Sequence, residues 1–228
     1  MNTNELITTY VSSFADTDRR DLLTEFLNVI ADDLDSAPAS SKIAFHHAYA
    51  GGLLQHISEV IYTMESLNNG LANAGNCNLS EDSMRTVAIL HDIHKARDIA
   101  GNPQYVQNVL KNGSVSEKIP YKTNEHYFNW AGYDLLNDIQ TNIADSTTTR
   151  GLAWFLTNSA EIKNTGVKSL ILIAAESPAL MASLSESEVN AIRYHGGAYE
   201  TSKYELQGKE DELLILLHAA DMLSSRNG

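Results

Sequence analysis

The segment Leu53-Leu54-Gln55-His56-Ile57-Ser58-Glu59-Val60-Ile61-Tyr62-Thr63-Met64-Glu65-Ser66-Leu67 decides the fold class. Its apolar residues recur at spacings of three and four, which places them on one face of an α-helix. The same spacing returns in Leu22, Leu23, Phe26, Leu27 and Ile30, and again in Leu213, Leu214, Leu216, Leu217 and Ala220. With only 4 prolines in 228 residues, long helices can run without interruption. No apolar/polar alternation bounded by hairpin turns competes with this pattern, so a nearly all-α fold is predicted.

Local signals set the helix starts. Ser80 is predicted to cap a helix carrying Met84, Val87, Ala88 and Leu90, with Glu81 and Asp82 at its positive end. Ser185 with Glu188 reads as a capping box opening a helix that stops near His195, at Gly196-Gly197. Lys209 to Glu212 reads as a further helix start, and Asp32, Asp33 and Asp35 as a solvated helix end. Additional helices are expected over about 124–143, 146–159 and 168–180. Loops are expected over 68–78, 99–123 and 196–208, the second long enough to act as a lid. Residues 1–44 read as an N-terminal helical extension packed on the core, and residues 45–228 as the main domain.

The charge balance narrows the function. Sixteen Lys and Arg against 29 Asp and Glu leave a formal charge of −13. So acidic a surface repels phosphate backbones, and duplex nucleic acid is not an expected partner. The single cysteine, Cys77, supplies neither an internal disulfide nor a thiolate cage. The first residues lack the basic start and apolar core of a secretion signal. The longest apolar run, near 170–175, is too short to span a bilayer. A cytoplasmic location without membrane association is expected.

Eight histidines stand in this acidic chain, and several sit beside aspartate. Imidazole and carboxylate suit zinc, manganese, iron, cobalt or nickel without any thiolate. His91 and Asp92 are adjacent, so on a regular helix their side chains diverge by about 100° and converge on one metal only from an end or a bent turn. A bridging carboxylate is the alternative. His218 and Asp221 share a helix face, with His218 read as structural. Gly51-Gly52 lacks the strand context and lysine spacing of a P-loop and reads instead as the start of a helix. His46 and His47 either approach a pocket or cap and orient the helix that carries His56.

In order, His56, His91-Asp92 and Asp221 resemble the HD superfamily signature. Phe45-His-His-Ala-Tyr-Ala-Gly-Gly-Leu-Leu-Gln-His56 resembles the segment HHAYxGGLLxH of the branch that contains the YhaM-type 3′-5′ exoribonucleases. Val87-Ala-Ile-Leu-His-Asp-Ile-His-Lys95 is similar to the family's LLHDIGK. Ile192-Arg-Tyr-His195-Gly-Gly and Leu217-His-Ala-Ala-Asp221 resemble its late histidine and terminal aspartate segments. The resemblance spans Phe45 to Arg226. It implies an all-α HD-domain bundle around a central metal site holding a divalent metal, two ions in the expanded pattern, with manganese, magnesium, iron, cobalt, nickel and zinc not distinguished.

Carried over residue by residue, the resemblance makes His56, His91, Asp92 and Asp221 ligands of one metal. His126 and His195 extend the pattern to a second, with Asp92 as the bridge. Asp92 and Lys95 take the catalytic roles, Lys95 also meeting an anionic substrate group. His94, where the family carries glycine, together with His47 and Tyr199, is expected to contact substrate. The implied activity is a metal-dependent phosphohydrolase acting on a nucleotide or other small phosphate ester. Two alternatives stand beside it, a 3′-5′ exonuclease on single-stranded nucleic acid and a mixed-valent di-iron oxygenase. The first lacks the expected accessory domain, because residues 1–44 are acidic and helical in pattern rather than basic and aromatic. A non-enzymatic metal module ranks behind all three.

Overall fold

A computed structural model of the chain describes residues 1–75, 78–127, 165–197 and 206–226. Cys77, Tyr199, the helix expected over 146–159 and all but the start of the one expected over 124–143 lie outside the described residues. Most described residues are helical, and the sheet among them is a single pair of strands.

The amino-terminal segment forms α1 (Thr3–Leu6), which runs into a π-helical turn (Ile7–Val11), then α2 (Thr17–Val29) and the short α3 (Ala31–Ser36). Asn2 and Glu5 make a capping box at the start of α1, and Asp16 caps α2 through the Arg19 amide. Leu6, Val11, Phe14, Leu23, Phe26, Leu27, Ile30 and Leu34 all belong to the same hydrophobic cluster as the residues of the central helices. Asp33 and Asp35 are not simply solvated. Asp35 Oδ1 accepts from the amide and hydroxyl of Thr3, both at 2.6 Å, and Asp33 pairs with Arg97 at 3.3 Å. Arg19 pairs with the buried Glu188 at 3.0 Å, and so ties α2 to a helix late in the chain.

The central helix α4 (Gly52–Asn73) buries Leu53, Leu54, Ile57, Val60, Ile61 and Met64 along the face read from the sequence. Each such side chain contributes roughly 1.5–3 kcal/mol by leaving water. The helix outruns the predicted loop start at 68, because the Asn68 side chain is held by the Leu79 backbone, with its Oδ1 accepting at 3.0 Å. Gly51 and Gly52 start α4 for steric reasons. Gly51 has φ +77, and a Cβ on Gly52 would lie 2.0 Å from the His47 carbonyl oxygen. The loop before the helix can therefore lie directly against its first turn.

Next come α5 (Glu81–Leu90) and a 3-10 turn (Ile93–Lys95). Ser80 stands at the N-cap of α5, but its side chain makes no capping bond. Strands β1 (Tyr105–Gln107) and β2 (Tyr121–Thr123) then pair antiparallel inside the stretch expected to be a loop. After residue 165 the chain forms α6 (Thr165–Glu176), α7 (Pro178–Ser183), α8 (Glu186–Tyr194) and α9 (Glu212–Ser224). Pro178 splits into two helices what the periodicity reads as one. Ser185 and Glu188 form the predicted capping box of α8, and Asp211 caps α9 through the Leu214 amide at 2.9 Å. Helix α9 packs chiefly on α4, while α8 packs on α6, α9 and α5. The ends of α5 and α9 thereby meet the first turns of α4, with the end of α8 beside that of α5. Among the described residues, no helix is long and apolar enough to cross a membrane.

Candidate metal centre

Four pieces of backbone deliver five inward side chains. His56 projects from the buried face of α4, His91 and Asp92 follow α5, His195 ends α8, and Asp221 lies on α9. Asp92 leaves helical geometry with φ −114 and ψ 12, immediately before the 3-10 turn. That bent turn is what lets the adjacent His91 and Asp92 converge.

His56, His91 and Asp221 bring one donor atom each to within 4.8 Å of one another, as do His91, Asp92 and His195. His56 Nε2 is 3.3 Å from His91 Nε2, 3.2 Å from Asp221 Oδ1 and 3.7 Å from Asp92 Oδ2. The two carboxylate oxygens of Asp92 divide their neighbours. Oδ2 lies 3.5 Å from His91 Nε2 and 2.5 Å from Lys95 Nζ, whereas Oδ1 lies 3.7 Å from His195 Nε2.

Hydrogen bonds fix which nitrogen faces inward. His91 Nδ1–H donates to the Ala88 carbonyl at 2.8 Å, and His195 Nδ1–H donates to the Ile192 carbonyl at 2.8 Å. In each case the imidazole is anchored to its own helix three residues back, and Nε2 presents its lone pair to the cluster. The α8 end is held in turn by His218, whose Nδ1–H donates to the His195 carbonyl at 2.5 Å. His218 thus orients a neighbour and stands outside both donor groups.

The electrostatics favour a cation. Burial lowers the His91 imidazole to about 4, against the pull of Asp92. Burial would raise the Asp92 carboxyl, but Lys95, His91 and His195 overcome it and hold the group well below the usual carboxylate range. Asp221 is held low in the same way, with burial opposed by the hydrogen bond from His56 and by His91 and His195. Lys95 is raised above the ordinary ammonium value because Asp92 outweighs its burial. The site therefore carries ionised carboxylates beside a neutral His91 imidazole, the protonation that metal binding requires.

Other predicted site residues are placed differently. His126 has a side chain 78% exposed, with Glu125 at 3.8 Å, and the structure does not bring it to the cluster. His47 uses both ring nitrogens, one toward Glu59 at 2.9 Å and one toward the Tyr49 hydroxyl at 3.1 Å. It braces the loop against α4. His94 is buried, with burial holding its imidazole well below the usual value. Its Nδ1–H donates to Ser169 Oγ at 3.0 Å, and the Ser169 hydroxyl donates to the His91 carbonyl at 2.7 Å. His94 thus locks the turn after Asp92 onto α6. Arg97 is engaged by Asp33 and Glu176.

Two neighbours were not singled out from the sequence. Tyr105 on β1 lies within electrostatic reach of Lys95 and Asp92, and its phenol is raised mainly by burial. It therefore keeps its proton. The signal that would have found it is Asn112-Gly113, a strong hairpin dipeptide between β-branched residues. The second is Ser169, whose role depends on where α6 crosses the turn, a fact of packing with no local signature. In comparisons, the chain matches no family model, no curated protein and no solved structure.

Proposed function

We propose that this chain is a metal-dependent phosphohydrolase of the HD type, acting on a nucleotide or another small phosphate ester. The observation that carries the reading is the convergence of His56, His91, Asp92, His195 and Asp221, with Lys95 2.5 Å from the Asp92 carboxylate. His56 Nε2, His91 Nε2, Asp92 Oδ2 and Asp221 Oδ1 supply a complete nitrogen-and-oxygen set for one divalent ion. His91 has one free lone pair and serves one ion. Asp92 Oδ1 with His195 Nε2 forms the start of a second site, and the bridging position of Asp92 favours two ions.

A divalent ion supplies Lewis-acid polarisation of a phosphoryl oxygen and acidifies water. The chain's own groups do the rest. Asp92 and Asp221 remain ionised and hold negative charge where a cation is wanted. Lys95 presents an ammonium within reach of any anion drawn to the cluster, and neutralises charge that develops on the phosphoryl oxygens. Tyr105, still protonated, offers a hydroxyl donor from the hairpin.

The test is a mass-spectrometric product scan with manganese. Wild type and Asp92→Ala are incubated with nucleoside mono-, di- and triphosphates, cyclic dinucleotides and a short single-stranded oligonucleotide. Release of phosphate or a monophosphate product by wild type, with at least a hundredfold less from the variant, supports the proposal. Equal turnover by both proteins, or none by wild type with metal bound, would sink it. Consumption of the oligonucleotide alone would turn the assignment to exonuclease action.

A further inference from the structure

Among the buried imidazole nitrogens without a hydrogen-bond partner are His56 Nδ1 and His46 Nε2, next to the cluster. Their rings are neighbours, with centroids 4.7 Å apart and planes tilted by 46°. His91 and His195 each find a carbonyl on their own helix for Nδ1–H, and His56 does not. Yet His56 is the imidazole that cannot do without a partner. If Nε2 holds a metal, the ring's proton must sit on Nδ1, where a buried N–H without an acceptor costs about 1–3 kcal/mol.

We propose that His46 is the positioning residue for His56, its Nε2 accepting the Nδ1–H of His56 when His56 Nε2 binds a metal ion. The inference rests on the metal reading given above and adds a residue to it. His56 Nε2 lies 3.2 Å from Asp221 Oδ1 and 3.3 Å from His91 Nε2, so Nε2 is the nitrogen that faces the cluster. A ring that binds a metal through Nε2 carries its proton on Nδ1, and the neighbouring His46 ring supplies the acceptor.

The loop is built to hold His46 there. Ser40 Oγ–H donates to the His46 carbonyl at 2.5 Å, and the Ala39 amide donates to the His47 carbonyl at 3.1 Å. His47 is pinned by Glu59 on α4. The missing Cβ of Gly52 is what lets the His47 carbonyl approach the helix start. The adjacent histidines therefore divide the work, with His47 fixing the loop and His46 facing the ligand. Partners of this kind orient metal-binding histidines, and losing one typically costs 10–100-fold in affinity.

The experiment measures equilibrium binding of cobalt(II), with its visible absorption, to the purified chain and to His46→Leu and His46→Gln. Gln places an amide oxygen near the position of Nε2, whereas Leu removes the acceptor. The expected result is a 10–100-fold weaker cobalt affinity and an altered absorption band for His46→Leu, with both restored to within about threefold by His46→Gln. Thermal unfolding of the metal-free proteins checks that all are folded. Should His46→Leu not fold, His46→Asn takes its place, because its amide stops short of the Nε2 position. Wild-type affinity and spectrum in His46→Leu would overturn the inference while leaving the metal site standing. Equal losses in Leu and Gln would also overturn it, by showing a packing role. Failure of wild type to bind cobalt would overturn the inference and the metal reading together.

Discussion

Asp92 has two oxygens and four claimants: His56, His91 and Lys95 around Oδ2, and His195 at Oδ1. Lys95 Nζ lies 2.5 Å from Oδ2, an oxygen that an ion would also need. Lys95→Met removes that competitor. The metal-free variant should lose about 3 kcal/mol, since a largely buried carboxylate is left without its cation. Its cobalt(II) affinity should rise about tenfold, because binding no longer meets a fixed positive charge. Thermal unfolding checks the first sign and calorimetric titration the second, and weaker binding would mean that Lys95 supports the site rather than competes for it. At this scale the sequence was informative where order along the chain mattered. The resemblance named His56, His91, Asp92, His126, His195 and Asp221 together, and the fold brings all but His126 to one place. The sequence was uninformative about direction. Nothing in the adjacent pair His46-His47 tells which ring turns inward, because that depends on which side chain Glu59 captures.

Between elements, glycine decides how closely helices approach. A Cβ on Gly166 of α6 would lie 2.0 Å from the Ile192 carbonyl of α8, and that carbonyl also anchors His195. Gly166→Ala should therefore lower stability by about 3 kcal/mol through overpacking, or roughly 6–12 °C in Tm for a chain of this size. Gly70 on α4 has nothing within 4 Å of the same position. Gly70→Ala should accordingly be neutral or raise Tm slightly, through helix propensity. Similar Tm values for the two variants would show that the α6–α8 contact tolerates expansion. Elements with a strong apolar period, α4 above all, could be read directly from the sequence. The hairpin could not be read by period, because its strands are three residues each and lie half exposed. Its turn was readable, since Leu110 and Gly113 close it with Gly113 at φ +83, the geometry of a type I turn with a glycine bulge. The helix expected to begin at 168 starts by Thr165, because propensity marks element ends poorly.

For the whole molecule, three depressed imidazoles set the response to acid. His46 and His91 are lowered to about 4, and His94 is held well below its ordinary value, in each case mainly by burial. Between pH 6.5 and about 4 the unfolded chain binds protons that the fold refuses, so stability falls as pH falls across that window. The slope is on the order of 1 kcal/mol per pH unit for each histidine. Asp92 and Asp221, held low, reinforce the loss only below the ordinary carboxylate value near 3.8. Thermal unfolding of the metal-free protein should therefore show a Tm declining steadily from pH 7 to 4.5. A flat profile would mean that these rings take up protons without unfolding.

The packing of α9 on α4 has one more consequence, concerning how the chain is made. Synthesis runs from the amino terminus at roughly 5–20 residues per second. The apolar face of α4 therefore leaves the ribosome on the order of ten seconds before α9 can cover it. Asp221 arrives with that last helix. During the interval a nascent chain presents Leu53, Ile57, Val60 and Met64 to whatever is nearby, which is the kind of surface that holding chaperones bind. A product released before Glu212 would keep that face uncovered and lack the closing carboxylate, so premature termination yields a sticky chain rather than a partly active one.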